Sequence, residues 1–254
     1  MKNRNISRLT LLALVLTILG CSSPGKNKEA AKNPQDSQSE TEWTMLFNGH
    51  DFEGWRSVRS DGPPEHGWKI ENEELIIMGP EDKAEIKAGD IVTLKKYSDF
   101  ELEWEWKMLT KGGNSGVKYY VNFYGEDEYS GALGLEYQIL DDDNHPWMLD
   151  GKMHPGDSLV LGACYELYEP HNREVAPLGE WNSSKIVSSK GNVEHWLNGI
   201  KIVEFNRFSD DFNYRVEHSK FRDLENFGQQ DSGVILFQDH PGITHYRNIR
   251  IREL

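Results

Sequence analysis

The strongest constraint on the fold is a regular alternation between Phe100 and Met108. Charged residues occupy every second position, and the positions between them hold Phe100, Leu102, Trp104, Trp106 and Met108. A strand places alternate side chains on opposite faces, whereas a helix would distribute these large side chains around its circumference. The alternation therefore predicts a strand with one buried face, and its aromatic row is expected at the centre of the core.

Short strand-like runs separated by turn residues recur along the rest of the chain. Asn72-Glu73 and Asn198-Gly199 each separate two apolar-rich runs, which is the pattern of a hairpin. A further strand is predicted over residues 162–168, and one short helix is expected near residues 217–221. About a dozen short strands with almost no helical period predict an all-β fold, a β-sandwich of the jelly-roll type.

The amino terminus has the pattern of a secreted lipoprotein. Three basic residues precede an apolar run over residues 9–19 that is too short to span a bilayer. Ile18-Leu19-Gly20-Cys21 then resembles a bacterial lipobox, with Ile in place of the usual first Leu. We therefore expect residues 1–20 to be a lipoprotein signal peptide and Cys21 to carry a lipid that anchors the protein to the bacterial envelope, in the periplasm or at the cell surface. Cleavage by ordinary signal peptidase is the alternative.

Composition separates a tether from one folded domain. Residues 21–42 are polar and have little to bury, so they are expected to form a disordered tether before a single domain over residues 43–254. The formal net charge of −14 argues against nucleic acid as a partner, and contact with a membrane is expected only through the lipid. Cys164 lies in an apolar context and is expected in the core. No pattern indicates the oligomeric state.

A strand predicted over residues 135–140 carries an unusual polar face. Glu136 and Gln138 point one way, and Tyr137 and Ile139 point the other. A charged side chain in a sheet must be hydrogen-bonded or must face water, because an unpaired buried charge is too costly. The face is therefore either a solvent-exposed sheet surface or one wall of a wet cleft, and the rest of the chain favours the cleft.

A glycine-rich loop over residues 110–116 precedes the next polar strand. Its lysine comes before the glycines and no helical pattern follows, which excludes a P-loop. The glycines instead indicate a tight bend and the close approach of a ligand. On the following strand, Lys118 and Tyr120 are expected to share a face. Lys118 is either a site residue or a lysine that extends along an edge toward water.

Two further groups have competing interpretations. The acidic loop from Asp141 to His145 could supply oxygen ligands to a hard cation such as Ca²⁺, although its spacing differs from an EF-hand and a solvated turn is the alternative. His195 lies among large side chains of a predicted hairpin, where a structural role is expected rather than a catalytic one.

Several motifs together resemble one protein family. They are Leu46-Phe47-Asn48-Gly49 with Trp55, Gly113-Asn114-Ser115-Gly116, Glu136-Tyr137-Gln138-Ile139-Leu140-Asp141, Gly179-Glu180-Trp181-Asn182, Trp196-Leu197-Asn198-Gly199, and Gln238-Asp239-His240 with Arg247-Asn248-Ile249. They resemble the 3-keto-disaccharide (3-keto-glycoside) hydrolase domain family, formerly a domain of unknown function, over nearly all of residues 43–254. The resemblance implies a concanavalin A-like, laminarinase-type jelly roll on a secreted or lipid-anchored protein.

The comparison with laminarinase-type glycosidases also implies a difference in chemistry. Those retaining enzymes carry Glu-x-Asp-x-x-Glu on a strand, with the two glutamates as nucleophile and acid/base. The corresponding run here is Glu136, Gln138 and Asp141 at the same spacing. An amide cannot titrate and the last carboxylate is one methylene shorter, so a conventional double displacement is not expected.

A 3-keto sugar, which the resemblance implies as substrate, offers another route. The C3 ketone acidifies the C2 hydrogen, so a base can remove it, the C1 leaving group departs and water adds. The resemblance implies catalytic roles for Glu136, His240 and Lys118. Substrate contacts are expected from Gln138, Asn114, Tyr120, Asn182 and Trp181. No cofactor is required by this route, but a divalent cation such as Ca²⁺ could be held by Glu136 and Asp141.

Two other classes of function remain open from the sequence. A carbohydrate-binding protein without catalytic activity would need the same aromatic and polar face, but it would bind sugar without turnover. A surface scaffold without a sugar site would fill that face with its own side chains. Whether Glu136, Gln138, Lys118 and His240 converge on one open pocket separates these readings.

Overall fold

The computed structural model describes residues 42–78, 89–127 and 129–254. The predicted signal peptide, Cys21 and the tether up to residue 41 lie outside the described residues. Within the described ranges, no helix combines the length and the apolar character needed to cross a membrane. The described part of the chain consists mainly of antiparallel β-structure, so the predicted all-β fold is confirmed.

Two antiparallel sheets form the molecule. The larger sheet has the strand order β11-β10-β9-β6-β13-β4-β3, and β1 also pairs with β13. Its strands are β1 (Thr44–Met45), β3 (Trp68–Glu71), β4 (Glu74–Ile77), β6 (Phe100–Met108), β9 (Asn182–Ser189), β10 (Asn192–Leu197), β11 (Ile200–Asn206) and β13 (Thr244–Glu253). The smaller sheet has the order β2-β5-β12-β7-β8. Its strands are β2 (Trp55–Ser57), β5 (Ile91–Thr93), β7 (Asn114–Phe123), β8 (Ala132–Leu140) and β12 (Val234–Phe237).

The predicted aromatic row of β6 lies in the core between the sheets. All five apolar side chains of this strand are at most 3% exposed. The Trp104 ring meets Tyr137 of the smaller sheet with 5.1 Å between centroids and Phe237 with 6.3 Å, both edge to face. The prediction that this row forms the centre of the core is confirmed.

The other face of β6 is charged and faces outward. Its glutamates are opposite arginines of the neighbouring strand β13, as the strand register requires. The pairs are Glu105 with Arg247 at 2.6 Å, Glu103 with Arg250 at 2.6 Å, and Glu101 with Arg252. The Glu105 and Glu103 pairs are partly exposed and each contributes only about 0–1 kcal/mol, so the ladder specifies the register more than it adds stability.

The strand predicted over residues 162–168 is not formed. Gly162 has a φ of +81° and Glu166 a φ of +70°, and these left-handed conformations interrupt an extended chain. The segment instead bends along the free edge of β8. The Gly162 amide donates to the Gln138 carbonyl at 2.8 Å, and the Tyr165 amide donates to the Glu136 carbonyl at 3.0 Å.

The predicted helix lies earlier in the chain than expected. Besides a 3₁₀ turn at Asp142–Asn144, the described residues contain a four-residue helix α1 (Pro146–Leu149) and a longer helix α2 (Asp210–Glu217). The α2 helix begins after Ser209, whose side chain accepts a hydrogen bond from the Phe212 amide. This N-cap, followed by acidic residues that favour a helix start, determines the position of α2.

Cys164 and His195 are both fully buried, as expected for structural residues. Burial raises the pKa of the Cys164 thiol to about 12 and lowers the pKa of His195 to about 4. The His195 ring contacts the Tyr119 hydroxyl at 2.8 Å and the Gly162 carbonyl at 3.0 Å. The predicted structural role of His195 is confirmed.

Candidate active site

The strand pair β7 and β8 places a polar group on the outward face of the smaller sheet. On β7, Ser115 contacts the Tyr246 hydroxyl in the core at 2.7 Å, so the residues on either side of it point away from the core. The register pairs Gly116 with Gln138 and Lys118 with Glu136. The predicted polar face of β8 therefore continues across β7.

Gly116 leaves space for two of the side chains on this face. A Cβ atom at this position would lie 2.6 Å from Gln238 Oε1 and 2.7 Å from Glu136 Oε1. A Cβ atom at these distances would force both groups to move, so in the native structure the carboxyl and the amide occupy the volume that a larger residue would fill. Gln238 reaches this place because it directly follows β12. Its backbone amide donates a hydrogen bond to the Gly116 carbonyl at 2.9 Å.

Glu136 is the ionisable residue at the centre of this face. It is 8% exposed, and burial raises the pKa of its carboxyl. The positive charges of Lys118 and Lys220 oppose this shift, and so does a hydrogen bond from Gln238, while the charge of Asp90 adds to it. A buried carboxylate with a raised pKa is a stronger base than one in water, which suits it to proton abstraction.

A cavity of about 220 Å³ is lined by Gln138, which lies two residues from Glu136 on the same face of β8. Its wall is formed by Asn114, Gln138, Leu140, His145, Pro146, Trp147, Met153, Leu159 and Tyr165. Glu136 is not in this wall, but two of its neighbours are. The Tyr165 backbone amide donates a hydrogen bond to the Glu136 carbonyl. Burial is the main cause that raises the pKa of Tyr165 to about 12, and the charge of the Glu136 carboxyl adds to this shift. The volume is below the roughly 300–1,000 Å³ of pockets for drug-sized ligands and suits a single sugar ring.

Gln138 and Asn114 supply the polar atoms of the cavity wall. With its amide nitrogen directed at the neighbouring acceptors, Gln138 donates to Glu136 Oε1 and to the Ser115 carbonyl, both at 3.2 Å. Asn114 Oδ1 is buried and has no hydrogen-bond partner. A buried acceptor without a donor is costly.

His240 is exposed on the loop that follows β12. This loop is bonded to the start of β7, because the Asn114 amide donates to the Pro241 carbonyl at 3.1 Å. The Asp239 amide donates to Asp90 Oδ1 at 2.8 Å, and Asp90 is one of the charges that act on Glu136. The loop therefore borders the site, and a catalytic role for His240 stays a prediction.

Tyr120 does not share a face with Lys118, so that prediction is wrong. The register of β7 with β8 shifts between Tyr119 and Asn122, and Tyr120 has a φ of +50°. This bulge turns Tyr120 into the core, where its hydroxyl contacts the Ser98 carbonyl at 2.6 Å. Tyr120 is fully buried and cannot contact a substrate on the outward face.

Trp181 and Asn182 lie with the larger sheet, away from the Glu136 face. Lys107 and Arg247 cover the Trp181 ring at 4.4 and 3.9 Å from its centroid, on the outer side of that sheet. Asn182 Oδ1 accepts from the Ala176 amide at 2.9 Å. Asn182 lines a second cavity of about 480 Å³ instead. The structure therefore places neither residue beside Glu136, and substrate contacts from Trp181 and Asn182 stay a prediction.

Glu136 and Asp141 do not fit a shared cation. They are five residues apart, which is about 16 Å along a strand. The Asp141 carboxylate already accepts from the Gly112 amide and from the Asn144 side chain, each at 2.8 Å. Among the described residues, no three His, Cys, Asp or Glu side chains cluster as metal ligands.

The structure adds residues that the sequence did not indicate. Lys220 lies 4.1 Å from the Tyr165 ring centroid and acts on Glu136 from a segment remote in sequence. His145 lines the cavity, although the sequence marked it only as the end of an acidic loop. Gln238 belongs to the Gln238-Asp239-His240 motif, and the resemblance of this motif to the family could have indicated it from the sequence.

Fold and site together define a jelly-roll protein with a polar, largely buried ligand site on its smaller sheet. The profile of the 3-keto-alpha-glucoside-1,2-lyase-like domain matches residues 42–252, so the chain belongs to this family. It is 31% identical over 232 residues to the "3-keto-disaccharide hydrolase" of Bacteroides thetaiotaomicron, covering 84% of this chain and 78% of that protein.

Solved structures agree with this assignment. A candidate glycosyl hydrolase from Parabacteroides distasonis ATCC 8503 superposes with a TM-score of 0.72 at 36% identity, covering 84% of this chain and 94% of that one. A Bacillus subtilis protein of unknown function with a galectin-like fold has a TM-score of 0.50 at 14% identity, covering 84% and 94%. The latter likeness concerns the fold alone, and the predicted concanavalin A-like jelly roll is confirmed.

Proposed function

We propose that this protein cleaves the glycosidic bond of 3-keto-glycosides or 3-keto-disaccharides. The observation that carries the proposal is the buried Glu136 carboxyl with its raised pKa, flanked by two lysines and next to a cavity for one sugar ring. The description of the family and the name of the Bacteroides relative favour the same substrate class.

The proposed reaction begins with proton transfer to Glu136. The carboxylate takes the C2 hydrogen, and the electron pair of the C–H bond moves to the C3 oxygen to give an enolate. The enolate then re-forms the C3 ketone, and a C1–C2 double bond appears. The C1–O bond breaks at the same time, its electron pair stays on the leaving oxygen, and that oxygen is protonated. Addition of water across the double bond returns a proton to C2 and completes a net hydrolysis. Lys118, paired with Glu136 in the register, supplies compensating positive charge.

The test compares oxidised and unoxidised substrates. Purified protein is expected to release methanol from a methyl 3-keto-glucoside and to leave the methyl glucoside intact. Glu136→Gln removes the base while it preserves size, and a general base contributes about 10²–10⁴-fold, so activity should fall by that factor. Equal cleavage of both glycosides, or full activity of Glu136→Gln, contradicts the proposal. Binding of the oxidised sugar without turnover would favour a carbohydrate-binding protein instead.

We also propose that Cys21 carries a lipid that holds the protein at the bacterial envelope. The proposal rests on the amino-terminal sequence pattern alone. Radiolabelled palmitate should enter the wild-type protein in cells but not Cys21→Ser. Equal labelling of both proteins contradicts a lipid at this residue.

A further inference from the structure

The route proposed above needs a hydrogen-bond donor at the C3 oxygen, and the cavity wall contains one candidate imidazole. His145 follows the 3₁₀ turn at Asp142–Asn144 and is the N-cap residue of α1. It lines the same 220 Å³ cavity as Gln138, Asn114 and Tyr165. Its ring also meets the ring of Trp147 edge to face, with 5.6 Å between centroids, which restricts its orientation.

The local hydrogen bond determines which ring nitrogen of His145 can donate. The Trp147 backbone amide donates to His145 Nδ1 at 3.3 Å. A ring nitrogen that accepts a hydrogen bond carries no proton, so neutral His145 carries its proton on Nε2. Nε2 has no hydrogen-bond partner among the described residues. Because His145 is partly exposed and lines the cavity, this N–H group is available to solvent or to a ligand there.

A second atom in the same wall also lacks a partner. Asn114 Oδ1 is buried without a donor, as described above. The side chains of His145 and Asn114 therefore line one small cavity, although the buried Asn114 oxygen itself is not accessible from it. The carbonyl oxygen of a sugar ring in the cavity could accept a hydrogen bond from the His145 ring.

We propose that His145 is a catalytic residue that donates a hydrogen bond from Nε2 to the C3 carbonyl oxygen of the substrate. This inference rests on the proposed function. No proton is transferred by His145: when Glu136 removes the C2 hydrogen, charge moves onto the C3 oxygen and the hydrogen bond strengthens. A neutral imidazole acts in this manner where an enolate forms, because it stabilises the developing charge without forming an ion pair beforehand.

The proposal distinguishes the roles of His145 and Lys118. Lys118 is opposite Glu136 in the strand register, and its positive charge acts to lower the pKa of the Glu136 carboxyl. Lys118 thus acts on the base, whereas His145, which lines the cavity, acts on the substrate. Loss of His145 should slow the formation of the enolate and should affect every substrate equally, whatever its leaving group.

The experiment measures exchange of the C2 hydrogen for deuterium. Methyl 3-keto-α-glucoside in D₂O is followed by NMR with wild type, His145→Ser and Leu149→Ala. Serine keeps an N-cap acceptor for α1 but cannot reach into the cavity as imidazole does. Leu149 lies on the same helix, is 71% exposed and does not line the cavity, so it is the matched control. Thermal unfolding of all three proteins checks that they are folded.

Loss of one oxyanion donor typically costs about 10²–10³ in kcat. His145→Ser should therefore lose about 10²-fold in both exchange and cleavage, with the same factor for methyl and 4-nitrophenyl 3-keto-glucosides, while Leu149→Ala behaves as wild type. Unchanged exchange in folded His145→Ser overturns the role of His145. A loss of cleavage confined to the methyl glycoside also overturns it, because that result would indicate that His145 protonates the leaving group. Wild-type protein that neither exchanges nor cleaves the probe overturns the proposed function itself.

Discussion

At the scale of single residues, His195 and Glu136 have opposite effects on the pH dependence of stability. The pKa of His195 is lowered to about 4 in the fold, so the unfolded chain binds a proton more readily between that value and 6.5. Its stabilising contribution is complete above pH 6.5 and is lost as pH falls. The pKa of Glu136 is raised by burial, so the native state binds the proton more readily. The destabilisation caused by burying the charged Glu136 carboxylate is therefore relieved as pH falls and the carboxyl takes up a proton.

Replacing His195 should flatten the acid side of the stability profile. Between pH 7 and pH 5, protonation of His195 in the unfolded state should cost wild type about 2 kcal/mol of unfolding free energy. The glutamine of His195→Gln cannot titrate, so the unfolding free energy of this variant should fall by about that amount less than that of wild type between the two pH values. Urea unfolding at the two pH values measures the difference between the proteins. Equal losses in both proteins would contradict a buried, neutral His195.

At the scale of elements, the pairing of β7 with β8 determines the geometry of the site. The alternation of β6 and the polar face of β8 could be predicted from the sequence, because both depend on a two-residue period within one strand. The bulge that turns Tyr120 inward could not be predicted, because nothing in the residues near it differs from a regular strand. The approach of Gln238, Lys220 and His145 to this pair also depends on strand order and loop paths, which a local pattern does not contain.

The space left by Gly116 should matter more for activity than for stability. Gly116→Ala would place a methyl group 2.6–2.7 Å from the ends of Gln238 and Glu136, and these flexible side chains can move aside. A displacement of about 1 Å at a reacting group can cost about 10²-fold in rate. We therefore expect a loss of that order in kcat/KM with a nearly unchanged melting temperature.

Gly62→Ala is the matched control for this substitution. A Cβ atom at Gly62 meets nothing within 4 Å, so kinetics and melting temperature should both stay close to wild type. Full activity of Gly116→Ala would mean that the position of the Glu136 carboxyl is not critical.

At the scale of the whole molecule, one core joins the two sheets. The jelly roll was predictable, because the count of short strands and the missing helical period restrict the possible architectures. The separation of the predicted site residues between the two sheets was not predictable. Trp181 and Glu136 lie on the outer sides of different sheets, a separation that follows from which sheet each strand joins.

The thiol of Cys164 should report the opening of this core. Cys164 is fully buried and its pKa is raised to about 12, so alkylation at pH 8 requires the core to open. Iodoacetamide labelling of the Cys164 peptide, separated from the Cys21 peptide by mass spectrometry, should be slow in buffer. Its rate should rise with urea along the unfolding curve. Labelling in buffer at the rate of an unfolded control would contradict a closed core.

The bend over residues 162–165 has a further consequence for β8, the last strand of the smaller sheet. An uncovered strand margin presents free amides and carbonyls that recruit strands from other molecules and start fibrils. Here, the backbone bonds of Gly162 and Tyr165 occupy that margin. Glu136 can therefore lie at the border of the sheet, within reach of a small solute, while its strand is protected from self-association.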